Sequence, residues 1–160
     1  MPSPAHRHPG LDPMLALAGR LLLLASAVVL ALLAPPSFAA PPAPNHPIIG
    51  VWRLSLDAGR CAETYRFRQD GTSLVTSASE VSESAFAIND KPSARGFYKM
   101  EDRIVKDNGK PDCSGEVMKV GTSATNYLQF HPNGNMFLMC ASEALDVCIG
   151  PFERIRGEQI

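Results

Sequence analysis

From Gly50 onward the chain alternates with period two. Trp52, Leu54 and Leu56 fall on one face, Arg53 and Ser55 on the other. This alternation predicts a half-buried strand over 48–56. A glycine two residues before a large indole lets another backbone or the chain's own end lie close. Tyr65 and Phe67 alternate with Arg66 and Arg68, which predicts a second strand over 61–68. Asp70-Gly71 is a strong hairpin signal, so 72–77 is its return strand. The pattern recurs later as a strand over 126–131, a Pro132-Asn133-Gly134 turn, a return over 136–140 and a last strand over 148–155. The two hairpins share one turn chemistry.

The middle is less regular. Residues 82–88 fit either a strand or one helical turn, and 89–93 read as a loop. A strand over 96–100 is expected to pair with one over 103–106. Residues 107–112 form a loop ending at Cys113, and 116–120 fit another short strand. About eight short strands, no long helix and frequent turn signals predict an all-β antiparallel sandwich or closed barrel. Closure favours the barrel, because it hides every strand edge.

Length and charge narrow the picture. Arg7 and Arg20 flank Leu21 to Leu33, a mostly apolar, uncharged run of 13 residues in a chain of 160, and Ser37-Phe38-Ala39 follows. That run is short for a membrane span of about 20 residues and matches a secretory leader over 1–39. Removing it leaves 121 residues, enough for one core, with 13 basic against 15 acidic side chains. No basic stripe is present, which argues against a nucleic-acid partner. Residues 40–47 carry four prolines and read as a stiff lead-in; the folded domain spans 48–157. Periplasmic or secreted localisation follows, with no membrane span after cleavage.

All four cysteines, Cys61, Cys113, Cys140 and Cys148, lie beyond the leader. An even count in an exported chain predicts two disulfides. A bridge between Cys140 and Cys148 spans one strand connection easily, which leaves Cys61 for Cys113, although the spacing alone does not settle the connectivity. An up-and-down strand count puts all four at one end of the barrel. Closing the long loop stabilises by about 3–4 kcal/mol on the chain-entropy model. No C-x-x-C is present, and only His46 and His131 follow the leader, so no metal site or cofactor is expected.

Three features together resemble the lipocalins and the wider calycin group. Gly50-x-Trp52 resembles the first lipocalin motif. Thr125-Asn126-Tyr127-Leu128-Gln129-Phe130 is similar to the second, with Asn in place of Asp and Phe in place of the last Tyr. Arg154 matches the basic residue that packs across the Trp in that family. The resemblance implies a disulfide-stapled, lipocalin-like barrel closed by Gly50, Trp52 and Arg154. Arg156 competes for the last role. The chain is short for a lipocalin, and no C-terminal helix is visible.

The resemblance also implies a cavity for a small hydrophobic molecule, with Tyr65, Phe67, Phe97, Tyr127, Phe130, Met136 and Leu138 as pocket candidates. The competing reading is that these side chains fill the barrel. No Ser-His-Asp order, phosphate loop or nucleotide fingerprint appears, so no catalytic residue is assigned and enzyme activity is not expected. Arg66, Arg68, Asp102 and Arg103 read as a solvated face. The sequence leads to a non-enzymatic exported binding module. The alternative is a protein-binding module, of inhibitor or immunity type, acting on an exported enzyme.

Overall fold

A computed structural model describes residues 40–157; the leader prediction lies outside them. The described chain folds into eight antiparallel strands: β1 (Gly50–Leu56), β2 (Cys61–Phe67), β3 (Thr72–Ser77), β4 (Glu80–Ile88), β5 (Phe97–Asp107), β6 (Ser123–Phe130), β7 (Met136–Cys140) and β8 (Cys148–Ile155). Each pairs with the next, and β8 pairs back to β1, so the sheet is a closed barrel. The all-β barrel predicted from the alternation is the one observed, and the architecture is consistent with a calycin-like barrel. The only helical turn among the described residues is a 3-10 turn at Asp57–Gly59.

Both expected hairpin turns use the same device. Thr72 N–H donates to Asp70 Oδ1, and Asn135 N–H donates to Asn133 Oδ1. In each, the following glycine, Gly71 or Gly134, takes the left-handed conformation that its missing Cβ permits.

Two expectations change. The strands expected over 96–100 and 103–106 are one continuous strand, β5, of 11 residues. Asp102 was expected on a solvated face, since a carboxylate inside a barrel is costly. Asp102 nonetheless follows Met100 on the inner face, where Asn126 Nδ2 donates to it at 3.1 Å. The strand expected over 116–120 is part of the long β5–β6 connection, where Val117 and Val120 are exposed. With no partner strand to bury one face, local β propensity is not enough. Residues 82–88 resolve as strand, within β4.

The barrel has two unlike ends. The β2–β3, β4–β5 and β6–β7 turns form a floor together with the chain's entry. The other connections form a rim. The floor half is apolar. Trp52, fully buried, meets Phe137 edge-on at 4.7 Å, and Phe137 stacks on Phe152 at 4.5 Å. Phe67 meets Phe86 edge-on at 5.3 Å. Burying aromatic side chains in this way dominates core energetics. The Pro-rich segment ahead of β1 also packs here. His46 is buried, with Nδ1 accepting from Ile48 N–H and its ring edge-on to Tyr98 at 4.8 Å.

Candidate functional site

The site is defined by what closes the floor and what lines the space above it. At the floor, Trp52 pairs across the seam with Arg154. The guanidinium carbon lies 4.0 Å from the indole centroid, a cation–π contact in a desolvated position. Arg154 donates from Nη1 to Ile49 O at 2.9 Å, from Nε to Gly134 O at 3.2 Å, and from Nη2 to Pro47 O. Trp52 Nε1 donates to Ile48 O at 2.7 Å. Gly50 has φ +140, and a Cβ there would stand 2.5 Å from Arg154 Nη1, so any other residue strains the backbone and displaces the guanidinium. Gly50, Trp52 and Arg154 thus form one contact set at the floor.

All four cysteines are at the rim. Cys61 bridges to Cys113 and Cys140 to Cys148. The first bridge ties the β5–β6 connection to the start of β2. A polar chain continues from it into the barrel: Cys113 N–H donates to Ser77 Oγ at 2.9 Å, and Ser77 Oγ donates to Glu63 Oε1 at 2.6 Å. The Tyr65 hydroxyl donates to the other Glu63 oxygen, Oε2. Burial, and then the Glu63 carboxylate, push the Tyr65 pKa up, so the phenol keeps its proton.

Between floor and rim lies a cavity of about 210 Å³. Its wall mixes apolar side chains, among them Phe67, Met100, Ile104 and Met139, with Ser73, Ser82, Ser84, Asn126 and four carboxyls: Glu63, Glu80, Asp102 and Asp112. Asp112 and Met118 come from the β5–β6 connection and cover part of the opening. None of the described lining residues is Lys, Arg or His. Glu80 is only 4% exposed, and its Oε1 meets no hydrogen-bond donor; neither does Asp107 Oδ2. Burial, with Asp107 next to it, pushes the Glu80 carboxyl up to about 7. Burial also raises Asp102, against the opposing hydrogen bond from Asn126. The carboxyls are distributed around the wall. Among the described residues, no three His, Cys, Asp or Glu side chains converge as a metal set would.

Of the pocket candidates read from the sequence, Tyr65 and Phe67 line the cavity. Phe130 packs below it, against Trp52, Tyr98 and Phe137. Phe97, Tyr127, Met136 and Leu138 do not line it. Tyr127 pairs with Lys99 and Leu138 with Gln129, in the alternate register to the inward pair Leu128 and Met139. Asp102, expected on a solvated face, lines the cavity instead. Glu80, Ser82 and Ser84 were not anticipated. Stepping back by twos from buried Phe86 reaches all three, because side chains on one face recur every second residue.

The chain matches no family model, no curated protein and no solved structure. Among the described residues no helix is long and apolar enough to cross a membrane.

Proposed function

We propose that the protein is an exported, non-enzymatic, lipocalin-like binding module that holds one small molecule in the mouth half of its barrel. The cavity between the locked floor and the stapled rim carries this reading. It is smaller than the 300–1,000 Å³ typical of drug-sized sites, so the occupant is small. The polar side chains in the wall move the expected ligand away from a purely hydrophobic one, toward a molecule with both apolar and polar parts. The two disulfides agree with an oxidising compartment.

Native mass spectrometry of the protein purified from its own host tests this. The expected result is a reproducible added mass of a few hundred daltons at most, lost on denaturation. A bare monomer that takes up no small molecule from host extract refutes it.

A second reading rests on a different observation. Val117 and Val120 on the β5–β6 connection are exposed at the rim, as are Leu145 and Val147 on the β7–β8 connection. Apolar side chains grouped on loops at one end suit a protein partner, as an inhibitor or immunity-type module would require. This reading expects the native spectrum to show a heavier protein complex that Val120→Asp with Val147→Asp abolishes.

A further inference from the structure

Two acidic side chains meet where β5 runs into the connection that covers the mouth. Ser82 on β4 stands opposite Asp107 on β5, and Glu80 is two positions along the same inward face. Glu80 and Asp107 are therefore diagonal neighbours across the two strands. Their carboxyls are placed for a hydrogen bond to each other, with Ser82 as a further partner of Glu80. Yet Glu80 Oε1 and Asp107 Oδ2 are both buried and meet no donor among the described residues. Two carboxyls bond to each other only when one carries a proton, and one shared proton answers both oxygens at once. Asp107 also starts the β5–β6 connection. Its Oδ1 accepts from Gly109 N–H at 2.6 Å, while Asn108 donates from N–H to Val81 O and from Nδ2 to Ser79 O. The chain then runs through Asp112, at the mouth, to Cys113 and its bridge to Cys61.

We propose that Glu80 and Asp107 share one proton that latches residues 108–112 over the mouth, and that losing it sets this segment ajar. Two neighbouring charges held out of water are costly. Asp107, at the strand end, relieves them by turning outward, and the Gly109 anchor goes with it. The groups facing Glu80 offer no compensating charge. They are Asp107 from β5, Asp112 from the connection, and on β2 the Tyr65 phenol, which keeps its proton. β3 sets Ser77 opposite Glu80, and Lys106 pairs with Glu83 on the outer face. Burial and Asp107 push the Glu80 carboxyl up to about 7, which puts the change near neutrality. The Cys61–Cys113 bridge holds the connection at the rim, so the movement is confined to the stretch between Asp107 and Cys113. Control of entry to the cavity rests on the binding-module reading above; the latch itself needs no ligand.

Amide hydrogen exchange of the oxidised protein without ligand, at about pH 5 and about pH 8 and corrected for intrinsic rates, tests the proposal. Protection at Asn108 and Gly109 is expected to fall about tenfold at the higher pH. Gly121 N–H, bonded to Ile104 O beyond the bridge, changes by less than about twofold. Glu80→Gln sets a permanent amide donor against Asp107 and keeps protection high at both pH values. Asp107→Asn supplies the donor from the other side if Glu80→Gln does not fold. Three results overturn the latch: no change with pH in the wild type, an equal fall in the amide variant, or an equal fall at Gly121. The binding-module reading is decided separately, by the native spectrum.

Discussion

Replacing Gly50 with Ala tests whether Arg154 is what reserves this position for glycine. Gly50 has φ +140, a conformation that residues with a Cβ rarely adopt, and the new Cβ would stand 2.5 Å from Arg154 Nη1. The backbone strain costs about 1–3 kcal/mol. The guanidinium is the far end of a long side chain, but it is held by three carbonyls and by the indole face. It can retreat only by loosening charge-assisted hydrogen bonds, each contributing about 1.5–3 kcal/mol. Weakening roughly one of them adds about 2 kcal/mol, so Gly50→Ala should destabilise by about 3–5 kcal/mol in all. In an Arg154→Met background the guanidinium is gone and only the backbone term of about 1–3 kcal/mol remains. The double-mutant cycle therefore predicts a coupling of about 2 kcal/mol. Urea unfolding followed by the fluorescence of Trp52, the single tryptophan, measures all four proteins at the floor itself. Equal losses in the two backgrounds, within about 0.5 kcal/mol, would refute the reasoning.

Other predictions concern the site and its supports. Glu80 titrates at about 7 in the folded barrel against 4.5 as its ordinary value, so the folded state binds the extra proton between them. Stability then declines as pH rises through that window, by about 1–2 kcal/mol once screening at the mouth is allowed for. The groups around it are Asp107 on β5, Asp112 from the β5–β6 connection, Ser82 on its own strand and Tyr65 on β2. Glu80→Gln should flatten that decline in urea midpoints compared at about pH 5 and about pH 8, and an unchanged slope would contradict it. His46 is held below its ordinary 6.5 by burial, so stability falls as pH drops below 6.5, where the unfolded chain gains a proton that the folded one resists. Proton NMR should place its titration below 6.5, and a midpoint at or above that value would count against the buried neutral ring. Removing the Cys61–Cys113 bridge, with a separation of 52, by paired Ser substitutions should cost about 4 kcal/mol. Removing Cys140–Cys148, with a separation of 8, should cost about 2.5 kcal/mol, and the reverse order in thermal unfolding would refute the loop-entropy account.

Fold and site differ in how far they were legible in the chain. Strands that bury a hydrophobic face, such as β1 and β7, announce themselves by alternation, and their turns by Asp-Gly and Asn-Gly. The cysteine spacing pointed to the rim and to the observed bridges. The cavity wall was nearly invisible for a physical reason: its inward positions on β4 are Glu80, Ser82 and Ser84, so the usual rule that the inner face is apolar inverts there. The same inversion at Asp102 put on the inner face a side chain that reads as solvated. Aromatic residues, conversely, drew attention to Tyr127 and Phe97, which hydrophobicity cannot assign to one face without the register. The Ser77 donor to Glu63 reaches it only once β2 and β3 pair, which no local pattern shows.

The seam between β1 and β8 has a consequence for how the molecule comes into being. Val51 pairs with Ile155, two positions separated by most of the barrel's sequence. Contacts so distant along the chain form late, because a large loop must be drawn together before they contribute anything. The first seven strands alone would make a curled ribbon with β1 and β7 as raw edges, each a template for another chain. Arg154 arrives on the eighth strand and completes the indole's lock only then. A nascent barrel lacking this last strand has neither a sealed wall nor a finished floor, and it is most open to self-association in the interval before the eighth strand joins.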